Sequence, residues 1–108
     1  MAETKIVVIY PRPTDLEAFE KVYVEEHAPL AKEKIKGMTK FGATKVLGTP
    51  DGSTPPYYRI AELYFPSMQA LQESALSAGT QEAVAHAFKI STGGPPIILV
   101  AEQETTTL

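Results

Sequence analysis

Two short runs in this chain are apolar at consecutive positions, IVVIY from Ile6 to Tyr10 and IILVA from Ile97 to Ala101. Both are rich in β-branched residues and of strand length. The first strand is read as Lys5 to Tyr10, and Pro11 and Pro13 end it because proline withdraws the donors a ladder needs. The spacing then changes to three and four, placing Leu16, Phe19, Tyr23, His27 and Leu30 on one helical stripe. His27 is therefore aimed at the core. Thr14-Asp15-Leu16-Glu17 reads as a capping box with Thr14 as the cap. Asp15, Glu17 and Glu20 lie near the positive end of the helix dipole, and Lys32, Lys34 and Lys36 near its far end before Gly37. Pro29 has no amide for the Glu25 carbonyl and crowds it, so the helix is predicted to kink or restart around His27.

Met38 to Leu47 reads as extended and leads into the turn residues Pro50-Asp51-Gly52 of a long hairpin loop. Tyr57 to Phe65, YYRIAELYF, is the third strand. Alternation places Tyr57, Arg59, Ala61, Leu63 and Phe65 on one face and Tyr58, Ile60, Glu62 and Tyr64 on the other. Ser67 caps a second helix that carries Met68, Leu71 and Ala75 inward, with a break expected at Gly79-Thr80 before a shorter piece through Phe88. The last strand is Ile97 to Ala101, and the polar, threonine-rich residues from Glu102 onward are expected to be mobile.

The order β, α, β, β, α, β predicts an α+β fold of ferredoxin-like topology, a four-stranded antiparallel sheet with both helices on one face, in a single domain with a core of about residues 5–102. Solvated antiparallel strands alternate apolar with polar residues, yet IVVIY and IILVA do not. Two helices can cover one face only. A second copy of the sheet is the simplest cover for the other, which predicts a homodimer.

Composition narrows the classes of function. With 108 residues, 44% hydrophobic and 21% charged, one folded domain is expected. A net charge of -3 without a basic cluster gives phosphate backbones little to bind, so nucleic acid is not an expected partner. No apolar stretch approaches the twenty or so residues of a membrane span, and the absence of cysteine fits a reducing cytoplasm.

The sharpest candidate for chemistry is His27, an imidazole on a buried stripe that exchanges protons near neutral pH; its structural alternative is a core histidine bonded to a carbonyl freed by Pro29. Tyr23, one turn earlier, can present a phenol to the same place or simply pack. Tyr10 and Tyr64, near strand ends, add polar tips, and Phe19 and Phe88 complete the expected lining. Arg59 and Glu62 fall on opposite faces of their strand, so only one can point toward the helices. With one parity Glu62 is a buried carboxylate beside His27; with the other Arg59 enters the pocket and can hold an anionic ligand. His86, Glu25 and Glu26 do not converge with His27 by spacing, which leaves no metal triad to read. Gly93-Gly94 is followed by prolines rather than a helix, and no nucleophile elbow occurs, so phosphate-cradle and serine-hydrolase readings fail.

The segments VVIYPRPTD, EEHAPLA, PYYRIAELYF and FKISTGG, in this order, together resemble the EthD-like proteins of the dimeric α+β barrel class, over roughly Lys5 to Glu102. The resemblance implies a homodimer joined through its sheets and a helix/sheet pocket with no obligatory organic cofactor. It also implies a link to the oxidative breakdown of small organic compounds. His27 and Pro29 match the family's helical H-x-P pattern, while His86 departs from the acidic residue expected near its position. Related barrels include lactone isomerases, cofactor-independent oxygenases and haem-handling proteins, so the class does not dictate the activity. The leading expectation is a small, mostly apolar organic ligand anchored by His27. The alternatives are an isomerase or oxygenase in which His27 moves a proton and Tyr23, Glu62 or Arg59 steadies the charge, and a haem-handling protein.

Overall fold

Residues 2–108 are described by a computed structural model. The elements are β1 (Ala2–Pro11), α1 (Leu16–Val22), a π-helical turn (Tyr23–His27), α2 (Ala28–Lys34), β2 (Lys40–Lys45), β3 (Tyr57–Phe65), α3 (Met68–Leu76), α4 (Ala78–Ile90) and β4 (Ile97–Glu104). The sheet runs β2-β3-β1-β4 with every neighbouring pair antiparallel. This is the ferredoxin-like α+β arrangement expected from the order of elements.

Register decides which side chains meet the helices. Ile6 lies opposite Leu63, Val8 opposite Ala61 and Tyr10 opposite Arg59, and all six are buried. Phe19, Tyr23, Ala31, Ile35, Leu71, Ala83, Ala87 and Ile90 close over them from the helical layer. The opposite face carries Val7, Ile9, Ile60, Ile97 and Leu99. Edge strand β4 is exposed on both sides: Leu99 is 50% exposed on one face and Val100 58% on the other.

Several local expectations need correcting. The first helix is capped by Asp15 rather than Thr14, its carboxylate accepting from the Ala18 amide at 3.1 Å, while the Thr14 amide donates to Thr92. The interruption near Pro29 takes the form of a π turn, in which the Ala28 amide donates to the Tyr23 carbonyl. The wider turn accommodates the ring that an α-helix would force against the Glu25 carbonyl. It also rotates the buried stripe, which continues from His27 to Ala31 and Ile35 and leaves Leu30 half-buried.

The second helical region breaks at Ser77, not at Gly79-Thr80, because the Ser77 hydroxyl caps a new helix through the Thr80 amide. The second piece is the longer one, at 13 residues against 9. Gly79 serves close packing instead, since a Cβ there would lie 2.3 Å from the Lys34 carbonyl oxygen of α2. Met68 is exposed rather than inward. The polar end is ordered farther than expected, because β4 continues to Glu104 opposite Ala2.

Candidate functional site

The π turn brings the site together. Tyr23 and His27 sit at its two ends, both buried, with their rings 5.7 Å apart and Phe19 stacked on the far side of Tyr23. From the sheet, Tyr10 enters this aromatic cluster with no exposed surface, its ring edge against Phe19, Tyr23 and His27. The Tyr10 hydroxyl lies 3.0 Å from His27 Nε2. On its other side His27 Nδ1 lies 2.9 Å from Nδ1 of His86, which α4 supplies.

The two imidazole planes differ by 13°, with centroids 5.1 Å apart. Their facing nitrogens are nearer than the roughly 3.5 Å at which unbonded heavy atoms settle, so the rings meet edge to edge through a hydrogen bond rather than face to face. His27 is 6% exposed. Burial, followed by the field of His86, pulls its pKa down to about 4, so near neutral pH the ring is neutral, with one nitrogen turned to Tyr10 and the other to His86. Burial also raises the Tyr10 phenol well above its ordinary range.

Tyr10 and His27 form the polar end of a cavity of about 170 Å³ between sheet and helices. The rest of its wall is hydrocarbon apart from Thr80, with Ile6, Val8 and Ala61 from the sheet and Leu71, Ala83 and Val84 from the helices. Ile98 and Val100 of the edge strand complete it.

Arg59 takes the inward parity and Glu62 the outward one. The register slips between Tyr10 and Pro11, so that Tyr58 as well as Arg59 reaches the helical layer, the Tyr58 ring 5.9 Å from Phe19. This departs from the strict alternation expected of the strand. Arg59 does not line the cavity. Its Nε and Nη2 donate to the two carboxylate oxygens of Glu20, and its guanidinium lies 4.9 Å from the Tyr23 ring centroid.

Glu62 cannot assist His27, because it stands on the opposite sheet face in an ion pair with Lys5. Tyr64 shares that face and donates to Gln103, with Lys40 over its ring at 4.1 Å. It therefore lines no helix-side pocket. Phe88 is 49% exposed and is also absent from the cavity wall. Phe19 and Tyr23 act behind the cavity as packing for Tyr10 and His27. Sequence reasoning missed His86 as a partner, although its place one residue before the buried Ala87 puts it on the helical flank facing the π turn. Among the described residues no three His, Cys, Asp or Glu side chains converge on a common point.

The hydroxyl of Tyr23 is the one buried side-chain polar atom without a partner among the described residues. A buried unsatisfied hydroxyl costs about 1 to 3 kcal/mol. Tyr23→Phe is accordingly expected to raise the unfolding free energy by about 1 kcal/mol, a gain that chemical denaturation will detect. A loss of stability would show that the phenol has a partner in solution.

Comparison with known proteins agrees with this architecture. The EthD domain profile matches residues 11–87. An uncharacterized 11.0 kDa protein from the thcB-thcC intergenic region of Rhodococcus erythropolis is 29% identical over 99 residues, covering 92% of this chain and 94% of that protein. The crystal structure of an EthD family protein from Bacillus halodurans superposes with a TM-score of 0.80 at 25% identity, over 96% of this chain and 99% of that one. A dimeric ferredoxin-like protein from Jannaschia sp. gives a TM-score of 0.62 at 20% identity, over 97% of this chain and 100% of that one. With the profile spanning most of the sequence and the fold shared along nearly its whole length, this chain belongs to the EthD domain family.

Proposed function

We propose that this protein binds a small, mostly apolar organic molecule, about the size of a single ring, in the cavity between sheet and helices, with the ligand's polar atom at Tyr10 and His27. The observation that carries this reading is the hydrocarbon wall closed at one end by a hydrogen-bonded phenol and imidazole. A cavity of about 170 Å³ is close to the roughly 150 Å³ apolar cavity that accepts benzene in an engineered protein. Oxidative catabolism of small organic compounds is the setting the family resemblance suggests. In a cytoplasmic location, which suits a chain without cysteine, such compounds would reach the site by diffusion.

The probe is p-cresol, one ring with one hydroxyl. Saturable binding at sub-millimolar concentration is expected, shifting the NMR signals of His27 and Tyr10, and Ala83→Leu should abolish it by filling the cavity. No binding, or binding indifferent to Ala83→Leu, overturns the assignment.

The contact between Tyr10 and His27 also favours a second reading, a cofactor-independent isomerase or oxygenase in which His27 exchanges a proton with the ligand through the Tyr10 hydroxyl. Conversion of lactones, phenols or quinols that is lost in His27→Ala, with binding retained, is the result that separates catalysis from binding. Haem does not fit this site. Both His27 nitrogens are engaged by protein groups, and the cavity is far too small for a porphyrin.

The protein is further proposed to act as a homodimer joined through the open sheet face. Support comes from the adjoining Val7, Ile9, Ile60, Ile97 and Leu99 on that face, and from a neighbour of the same fold that is dimeric. Light scattering at micromolar concentration should give the mass of two chains, and Leu99→Lys should shift it toward one. A wild-type monomer contradicts the proposal.

A further inference from the structure

The cavity and the protein surface are joined by the His27–His86 contact. His27 lines the inner cavity and not the outer groove, whereas His86 lines the groove and not the cavity. That groove, about 290 Å³ between α1 and the end of α4, is also bordered by Asp15, Glu26, Lys89 and Thr92. A continuous chain of exchangeable protons thus runs Tyr10 Oη, His27 Nε2, His27 Nδ1, His86 Nδ1, with links of 3.0 and 2.9 Å.

We infer that Tyr10, His27 and His86 form a proton path between the buried cavity and the outer groove, serving a ligand that loses or regains a proton at its polar end, such as a phenol or an enolisable ketone. The inference rests on the cavity being the ligand site. In one arrangement of the path the Tyr10 hydroxyl donates to His27 Nε2, His27 Nδ1–H donates to His86 Nδ1, and His86 keeps its proton on Nε2 toward the groove. When a ligand O–H or C–H proton passes to Tyr10 Oη, the phenolic proton moves to His27 Nε2 and the His27 Nδ1 proton to His86 Nδ1. The His86 Nε2 proton then leaves to water in the groove. One proton has crossed, the electron pair of the broken bond stays on the ligand, and no oxidant is consumed.

The path now holds the opposite tautomers, ready to return a proton inward, to the same ligand atom or to another one. Imidazoles suit this task because each, in its neutral form, offers one donor and one acceptor. The rings around His27 are those of Tyr10, Tyr23 and His86, none of them a fixed charge; the charged groups Asp15, Glu26 and Lys89 stand at the groove end of the path, where the proton meets water. A histidine pair serving only as packing would not need one member in the cavity and the other in an open groove.

The test needs no ligand. In uniformly 15N-labelled protein, NMR follows solvent exchange of the His27 ring proton, with backbone amides of residues 23–28, 30 and 31 as an internal measure of local opening. His86→Phe keeps an aromatic ring but deletes the nitrogen. It is expected to slow exchange at His27 on the order of a hundredfold, the scale of a lost acid-base partner, with the amides unchanged. In His86→Ala, added imidazole should restore exchange in proportion to its concentration. Wild-type exchange in His86→Phe, slowing matched by the amides, or no rescue by imidazole overturns the path. Failure of p-cresol to bind would instead remove the ligand site, so the two outcomes are read separately.

Discussion

Glu20→Ala is expected to lower the unfolding free energy by about 3 kcal/mol, because it strands the Arg59 guanidinium in the helical layer. Arg59 is 8% exposed and spends two donors on the Glu20 carboxylate. Its remaining contacts are the Ala43 carbonyl at 3.4 Å and the face of Tyr23. Neither supplies a counter-charge. Removing one partner of a fully buried pair costs about 3 to 5 kcal/mol, and the low end applies here because Glu20 keeps some contact with water. The hydrogen bond from Arg59 also holds the Glu20 carboxyl below its usual pKa. Urea unfolding measures the loss. The double variant Glu20→Ala/Arg59→Met should be more stable than Glu20→Ala alone, since a thioether leaves no stranded charge. A single variant within about 0.5 kcal/mol of wild type, the range of ordinary surface changes, would mean that Arg59 is solvated in the folded protein.

The second large effect is acid lability centred on His27. In the unfolded chain its imidazole titrates near 6.5, and in the folded protein at about 4, because burial and His86 disfavour the cation. The unfolded state therefore takes up the proton first as pH falls. This contribution to stability is complete above pH 6.5, shrinks below it, and is gone below about pH 4. Its size is about 3 kcal/mol, taken from the gap between the two pKa values. His27→Gln removes the titration, so its stability should be nearly flat between pH 6.5 and 4.5 where the wild type declines. Parallel profiles for the two proteins would place the acid sensitivity elsewhere. Glu20, whose folded pKa is also lowered, adds its own loss as pH falls through the carboxylate range, below most of the His27 window.

Much of this architecture is legible in the chain. The β-branched runs, the three-and-four spacing from Leu16 to His27 and the turn chemistry around Asp51 define the elements and their order. Pro29 foretells the interruption of the first helical segment. Its form as a π turn is not foretold, because a widened turn and a kink both relieve the same clash. The serine at position 77 is a cap signal of the same kind as Ser67, and it outweighs Gly79, whose small size serves the approach of α4 to the Lys34 carbonyl.

The site divides along the same line. The sequence alone determined that His27 is buried and that Arg59 and Glu62 lie on opposite faces of one strand, since helical and strand periodicities are local properties of the backbone. It also determined the apolar character of both faces of β1, from which an uncovered sheet face follows. Only tertiary structure decided that Arg59 is the inward residue, because aromatics and a charge occupy both faces of β3 and pairing with β1 breaks the tie. Only tertiary structure joined His27 to Tyr10 and to His86, the latter 59 residues away. No periodicity reaches across that distance; the contact exists because α4 packs beside the π turn, and side-chain packing rather than local preference sets where those two rings meet.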